Sequence, residues 1–228
     1  MGNLSGNTVS SVETRGHTCY SPIQKPMDIL EKASVIQFHR DKLKLASALH
    51  EAMGWTNLES QQKRFESLCR IGDLNGSSIM DMGCGTGDLK IYLNERYHDF
   101  SYVGIDHVPE FIEHANKKLG DEANTYFFVA DFITDGFPFV DYILASGALS
   151  YRCGNRVFPF SVIRKMYLHA KKGVAFNLLD FDYHRYPTDH VLRSYNRYEI
   201  LGYCLRLANR AELVTGYLPD DFTIMLYK

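Results

Sequence analysis

No apolar run in the sequence approaches the roughly 20 residues needed to cross a bilayer, so no membrane association is expected. Residues 1–21 are polar and rich in Gly, Ser, Thr and Asn, without the apolar centre of a secretory leader. Gly2 follows Met1, but Gly6 stands where a myristoylation signal requires Ser or Thr. Cysteine is sparse. The five lie at positions 19, 69, 84, 153 and 204, none two residues from another and none near a ligand-spaced histidine pair. That pattern excludes a disulfide framework and a zinc cluster, and the expected setting is reducing and cytoplasmic. Charge of one sign is also missing: 25 Lys and Arg stand against 27 Asp and Glu, for a formal net charge of −2. A nucleic-acid partner, which selects for a basic face, is therefore not indicated. There is no internal repeat and no low-complexity segment. What remains is ordinary for a folded domain, with 45% hydrophobic and 23% charged residues in a chain of 228.

Residues 1–25 offer little apolar surface to offset the entropy of ordering and read as a loose tail. From 26 to 72 the pattern is helical, a cap too small to be reliably stable alone. Leu30, Phe38, Leu45, Leu49 and Met53 recur at spacings of one helix face, and Gly54 interrupts them. Thr56 and Glu59 suggest a capping box opening a second helix, which puts Gln61, Arg64, Phe65 and Leu68 on one stripe.

The period changes after Gly76. Short β-forming runs (78–82, 102–105, 125–130, 140–145 and 174–179) alternate with helical stretches (88–96, 109–118 and 158–170). Such alternation predicts a parallel sheet covered on both faces, filling a domain from 73 to 228. A helix over 197–209 precedes two last strands, 211–217 and 222–227. Only Leu218, Pro219 and Asp220 separate those strands, so they must be antiparallel neighbours.

The first strand runs into Asp81-Met82-Gly83-Cys84-Gly85-Thr86-Gly87-Asp88. Glycines at alternate positions between a strand and a helix let the main chain turn tightly and let a ligand lie against it. A dinucleotide loop would place its third glycine at Asp88, one residue later than it stands here. Asp106 ends the second strand, where a carboxylate can accept both hydroxyls of a ribose, and Asp131 with Phe132 ends the third. Ligands of open α/β sheets bind at this strand edge.

On these residues the chain resembles the class I S-adenosylmethionine-dependent methyltransferases, over about 76–228. The resemblance implies a Rossmann-like α/β fold. Its seven-stranded sheet is mostly parallel with an antiparallel last strand, has helices on both faces, and here carries an N-terminal helical cap. It implies S-adenosyl-L-methionine as cofactor. Asp81, Gly83, Cys84, Gly85 and Gly87 would lie beneath its methionine part, Cys84 as a small filler. Asp106, with His107 beside it, would take the ribose, and Asp131 with Phe132 the adenine. Residues 145–147, Ser146 among them, would line the transfer centre. Trp55 and Arg64 would cover the methionine end, with Arg64 facing its carboxylate.

The acceptor is less defined. The Pro-Pro-aromatic motif of amino-methylating nucleic-acid enzymes is absent after the fourth strand, where Ser146-Gly147-Ala148-Leu149-Ser150-Tyr151 stands. The Pro-Cys pair of cytosine enzymes and the double-glutamate loop of protein arginine enzymes are missing too, and no metal triad is legible. A small-molecule acceptor is therefore expected. RNA or protein methylation and a catalytically silent binding module stand as alternatives. Asp180, Phe181, Asp182, Tyr183, His184, Tyr186, His190 and Tyr195 crowd the segment after the fifth strand. If a hydroxyl is methylated, His184 and Tyr151 are the candidates to take its proton.

Overall fold

The computed structural model describes residues 28–45, 57–183 and 192–228. The expected tail 1–25 and the positions Leu49, Met53, Trp55, Thr56, His184, Tyr186 and His190 lie outside them.

The seven strands are β1 (Ser78–Met82), β2 (Ser101–Asp106), β3 (Thr125–Val129), β4 (Val140–Ala145), β5 (Ala170–Leu179), β6 (Arg210–Val214) and β7 (Asp221–Tyr227). They form one sheet in the order β3-β2-β1-β4-β5-β7-β6. The first five are parallel, while β7 runs antiparallel to both β5 and β6. The helices are α1 (Ile29–Leu45), α2 (Leu58–Cys69), α3 (Asp88–Asn94), α4 (Pro109–Leu119), α5 (Phe158–His169) and α6 (Arg197–Leu207). Among the described residues no helix is long and apolar enough to cross a membrane.

The strand side chains alternate between two apolar layers, as the period of two requires. Met80, Met82, Ile143, Ala145, Phe222, Ile224 and Leu226 meet Val162, Ile163 and Met166 of α5 and Ile200 and Cys204 of α6. Ile79, Tyr102, Tyr142, Leu144 and Met225 meet Phe65 and Leu68 of α2, Leu89 and Leu93 of α3, and Ile112, Ala115 and Leu119 of α4. The expected stripe on α2 is observed: Gln61, Arg64, Phe65 and Leu68 are all buried.

Several boundaries depart from the sequence reading by a residue or more, and three of them have a visible cause. The α2 cap is Asn57, whose side chain accepts the Ser60 N–H at 2.7 Å, so the helix starts one residue beyond the expected capping box. β5 begins at Ala170, straight out of α5, because the exposed Lys171 and Lys172 extend the strand ahead of its apolar run. β6 stops at Val214; Gly216, at φ +85°, turns the chain, and Tyr217 leaves the sheet to donate to Asp221 Oδ1 at 2.6 Å.

The α1 face also differs. Leu30 is 75% exposed, and Val35 and His39 are the buried residues, with Phe38 half-buried. Only Val35 of this helix joins the buried cluster on the sheet. The helix roofs the carboxyl edge of the strands, pinned by Lys32 to Asp131 (3.0 Å), by Arg40 to Glu110 (2.6 Å) and by Glu31 to the Gly154 N–H.

Candidate functional site

The glycine loop leaves β1 through three left-handed glycines, Gly83, Gly85 and Gly87, at φ +77°, +53° and +82°. The Gly83 and Cys84 N–H groups donate to Ile105 O at 2.8 and 3.0 Å, fastening the loop to the end of β2. A Cβ on Gly83 would fall 2.3 Å from Ala148 Cβ, so the loop after β4 can close down only over glycine. Cys84 turns inward against Gly104, and burial pushes its thiol well above the ordinary range, with Asp106 and Asp81 adding to the effect. It fills space and is held as an unreactive thiol.

The three acids occupy three environments. Asp81 is fully buried and accepts the Tyr102 hydroxyl at 2.5 Å. Burial raises its pKa to about 7 against that hydrogen bond, with Asp106 and Asp88 adding to the rise. Asp106 accepts Gly85 N–H through Oδ2 at 3.0 Å and Val108 N–H through Oδ1 at 2.9 Å. Burial brings it to about 6, opposed by those backbone donors. A carboxylate offers about four acceptor positions, so these backbone donors leave the group capacity for a ligand. Asp131 is different. It accepts the Ile133 and Thr134 N–H groups at 2.8 and 3.0 Å and pairs with Lys32. Burial pushes its pKa up, but the Thr134 and Ile133 N–H groups and Lys32 together outweigh that and hold it well below the usual carboxylate range. Asp131 is not part of the cavity wall. Phe132, expected with it beside a ligand, does line the cavity.

One cavity of about 590 Å³, within the usual range of ligand pockets, runs along the strand edge. Asp81, Gly83, Cys84, Gly85, Asp106, His107, Phe132, Ser146, Tyr151 and Arg64 all line it. Gly87 does not; it packs toward Leu119 and Phe127, on the apolar side of the loop. His107 stacks on Phe132 with centroids 3.9 Å apart. Burial, then Lys32, lowers its pKa to about 4 and keeps the ring neutral. Among the described residues no well-formed hydrogen bond reaches either ring nitrogen of His107, Ser146 Oγ or Asn177 Nδ2. Buried polar atoms are rarely left unpaired, and these all belong to residues of one cavity wall.

Two side-chain pairs line the cavity. Arg64 Nε meets Asp221 Oδ2 at 2.6 Å, and both side chains are buried. In the second, His39 Nε2 lies 2.7 Å from the Tyr151 hydroxyl. The sequence reading missed His39, since a histidine in a half-buried helix carries no distinguishing spacing. Asn177 did leave a signal: it is a lone amide inside the apolar run of β5. Its Oδ1 accepts the Gly147 N–H at 2.8 Å.

Beyond β5 the aromatic segment does not converge on the cavity in its described part. Asp180 is buried against Arg197 at 2.6 Å, Tyr195 donates to Leu149 O at 3.1 Å, and Phe181 and Tyr183 are exposed. His184 lies outside the described residues. Among those residues no group of three His, Cys, Asp or Glu is arranged to hold a metal ion.

Residues 79–173 match the family model of a methyltransferase domain. Over 61 residues the chain is 41% identical to demethylmenaquinone methyltransferase of Lactococcus lactis subsp. lactis (strain IL1403), covering 26% of this chain and 24% of that one. The curated relatives are aligned over less than half of their own length. Among solved structures, the plantazolicin methyltransferase BpumL, in complex with triazolic desmethylPZN analog and SAH, superposes with a TM-score of 0.65 at 15% identity. That match covers 87% of this chain and 96% of that one. Magnesium protoporphyrin IX methyltransferase (ChlM) of Synechocystis PCC 6803 with bound SAH gives 0.61 at 13% identity, covering 86% and 99%. At such identities the likeness is one of fold.

Proposed function

We propose that this chain, which belongs to the class I S-adenosylmethionine-dependent methyltransferases, transfers the methyl group of S-adenosyl-L-methionine to a small-molecule acceptor held beneath α1. The observation that carries the reading is the single cavity joining the glycine loop to the His39–Tyr151 pair.

The residues present fit the cofactor. In this reading the loop backbone at Gly83, Cys84 and Gly85 lies under the methionine part, and Asp106 accepts from the ribose hydroxyls. The unpartnered nitrogens of His107 and the ring of Phe132 serve the adenine, in place of Asp131. Arg64 reaches the methionine end already held by Asp221, so it acts as an oriented donor more than as a mobile clamp. When bound, the cofactor supplies an electrophilic methyl group on a sulfonium. The chain contributes alignment of the acceptor and exclusion of water, which can supply most of the acceleration of such a displacement. The roof formed by α1 favours a small acceptor, since a macromolecule would have to displace three anchoring pairs.

Methyl-labelled S-adenosylmethionine, incubated with the protein and a cell extract, tests the acceptor class. Label in the small-molecule fraction is expected. Label confined to protein or RNA would overturn the acceptor class, and failure to bind S-adenosylhomocysteine would overturn the cofactor.

A further inference from the structure

Beside the His39–Tyr151 pair the cavity wall carries an apolar patch, Val35, Phe38, Phe111 and Leu192, while Lys42 and Ser150 also line the cavity. Against this patch the fold sets the His39–Tyr151 pair. His39 is 5% exposed, and the rings of Phe38, Phe111 and Tyr151 surround it edge-on at centroid distances of 5.2, 5.1 and 5.5 Å. Its Nε2 meets the Tyr151 hydroxyl at 2.7 Å, joining α1 to the loop after β4. Of the charged groups on the neighbouring turns, Arg40 pairs with Glu110 of α4, and Lys42, which also lines the cavity, lies over the Phe38 ring. Asn177 adds a donor to the same cavity. The Gly147 N–H fixes its Oδ1, which leaves the buried and unpartnered Nδ2 as the donor it presents. A buried donor without an acceptor is a net cost unless a ligand supplies one.

Resting on the methyltransferase reading, we propose that the acceptor is a hydroxyl on an apolar, ring-sized body, a phenol or enol, ionised through Tyr151 and His39. The acceptor proton passes to Tyr151 Oη as the phenol proton of Tyr151 passes to His39 Nε2, leaving an imidazolium that later releases its proton to solvent. The freed oxygen pair forms the new O–C bond; the C–S bonding pair stays with sulfur. Asn177 Nδ2 donates to the ionising oxygen and holds it in place. Tyr151 touches the acceptor, while His39 acts through it as the terminal proton acceptor. The apolar wall selects the body of the acceptor, and the pair selects its hydroxyl.

The test uses the full chain saturated with S-adenosylhomocysteine and three probes sharing one frame: 2-naphthol, 2-naphthylamine and 2-naphthoic acid. A site built around a hydroxyl discriminates strongly against its analogues, so 2-naphthol should bind at least about tenfold tighter than the other two. At a pH where free 2-naphthol is neutral, the bound probe should show the absorption of the naphtholate. His39→Gln keeps a hydrogen-bonding partner for Tyr151 but not a base. It should retain naphthol binding within about threefold, the scale of a neutral hydrogen bond, while the naphtholate band disappears. Tyr151→Phe should lose the band as well, and both variants should bind S-adenosylhomocysteine like the parent, which reports intact folding. Equal binding of the amine or acid, no naphthol binding, or an unchanged band in His39→Gln would each overturn the proposal. Wild-type protein that fails to bind S-adenosylhomocysteine would instead overturn the methyltransferase reading beneath it.

Discussion

Arg64 Nε stands 2.6 Å from Asp221 Oδ2, and this buried ion pair fastens α2 to the first residue of β7 in the wall of the cavity. Burial raises the Asp221 carboxyl to about 6, against the pull of Arg64 and the Tyr217 hydroxyl. Arg64 also reaches Ser60 O at 3.4 Å, so the guanidinium spans the helix and the sheet.

Removing one partner of such a pair leaves a charge without compensation. Arg64→Ala should therefore lower stability by about 3–5 kcal/mol in urea denaturation. A loss below about 1 kcal/mol, the range of exposed pairs, would show that the pair is open to water in solution.

Asp81 gives a prediction in pH. Its folded-state value of about 7 lies above the ordinary carboxyl value, so between about 4 and 7 the folded chain holds a proton that the unfolded chain has lost. Stability from this group is complete at low pH and falls as pH rises through 7. Asp81→Asn does not titrate, so its melting temperature relative to wild type should climb steadily from pH 4 to pH 7. The gain is on the order of 1.4 kcal/mol per unit of pKa shift. A difference that stays flat across that window would contradict the burial of an ionisable Asp81.

Much of this architecture was legible in the sequence, because β-branched and aromatic runs alternate with amphipathic helices and each strand carries its own boundary signal. The glycine loop, Asp106 and Phe132 were legible for the same reason: their positions follow from the strand ends. What the sequence hid depends on packing between distant segments. His39 becomes part of the site only because α1 crosses the strand edge, and Leu30, apolar and in register with Phe38, is left in solvent. Asp131 stands at a strand end like Asp106, but its ion pair with Lys32, 99 residues earlier, carries no signal in the sequence.

Gly87 separates loop geometry from ligand contact. A Cβ there would meet Leu119 Cδ1 at 2.7 Å and the Phe127 ring at 3.1 Å, at a φ of +82°. Gly87→Ala should destabilise by about 1–3 kcal/mol through overpacking and strain, measured by thermal melting. Gly83→Ala, whose Cβ would strike Ala148, should weaken S-adenosylhomocysteine binding as well. Wild-type melting in Gly87→Ala would show that the loop can shift to accommodate a side chain.

The roof over the cavity should respond to its contents. Hydrogen exchange over residues 29–45 should slow when S-adenosylhomocysteine binds, since Val35, Phe38 and His39 line the same cavity. Replacing both Lys32 and Arg40 by Ala removes two anchors and should speed exchange there without changing the sheet. Exchange in α1 that ignores the ligand would separate this helix from the site.

The most direct measurement is calorimetric titration of the chain with S-adenosylhomocysteine, beside Asp106→Ala and beside NAD. One site is predicted, with NAD weaker. Each hydrogen bond from a ribose hydroxyl to the Asp106 carboxylate contributes about 1.5–3 kcal/mol, so Asp106→Ala should bind at least about tenfold more weakly. Tighter binding of NAD, or equal affinity in Asp106→Ala, would contradict the assignment of this cavity to S-adenosylmethionine.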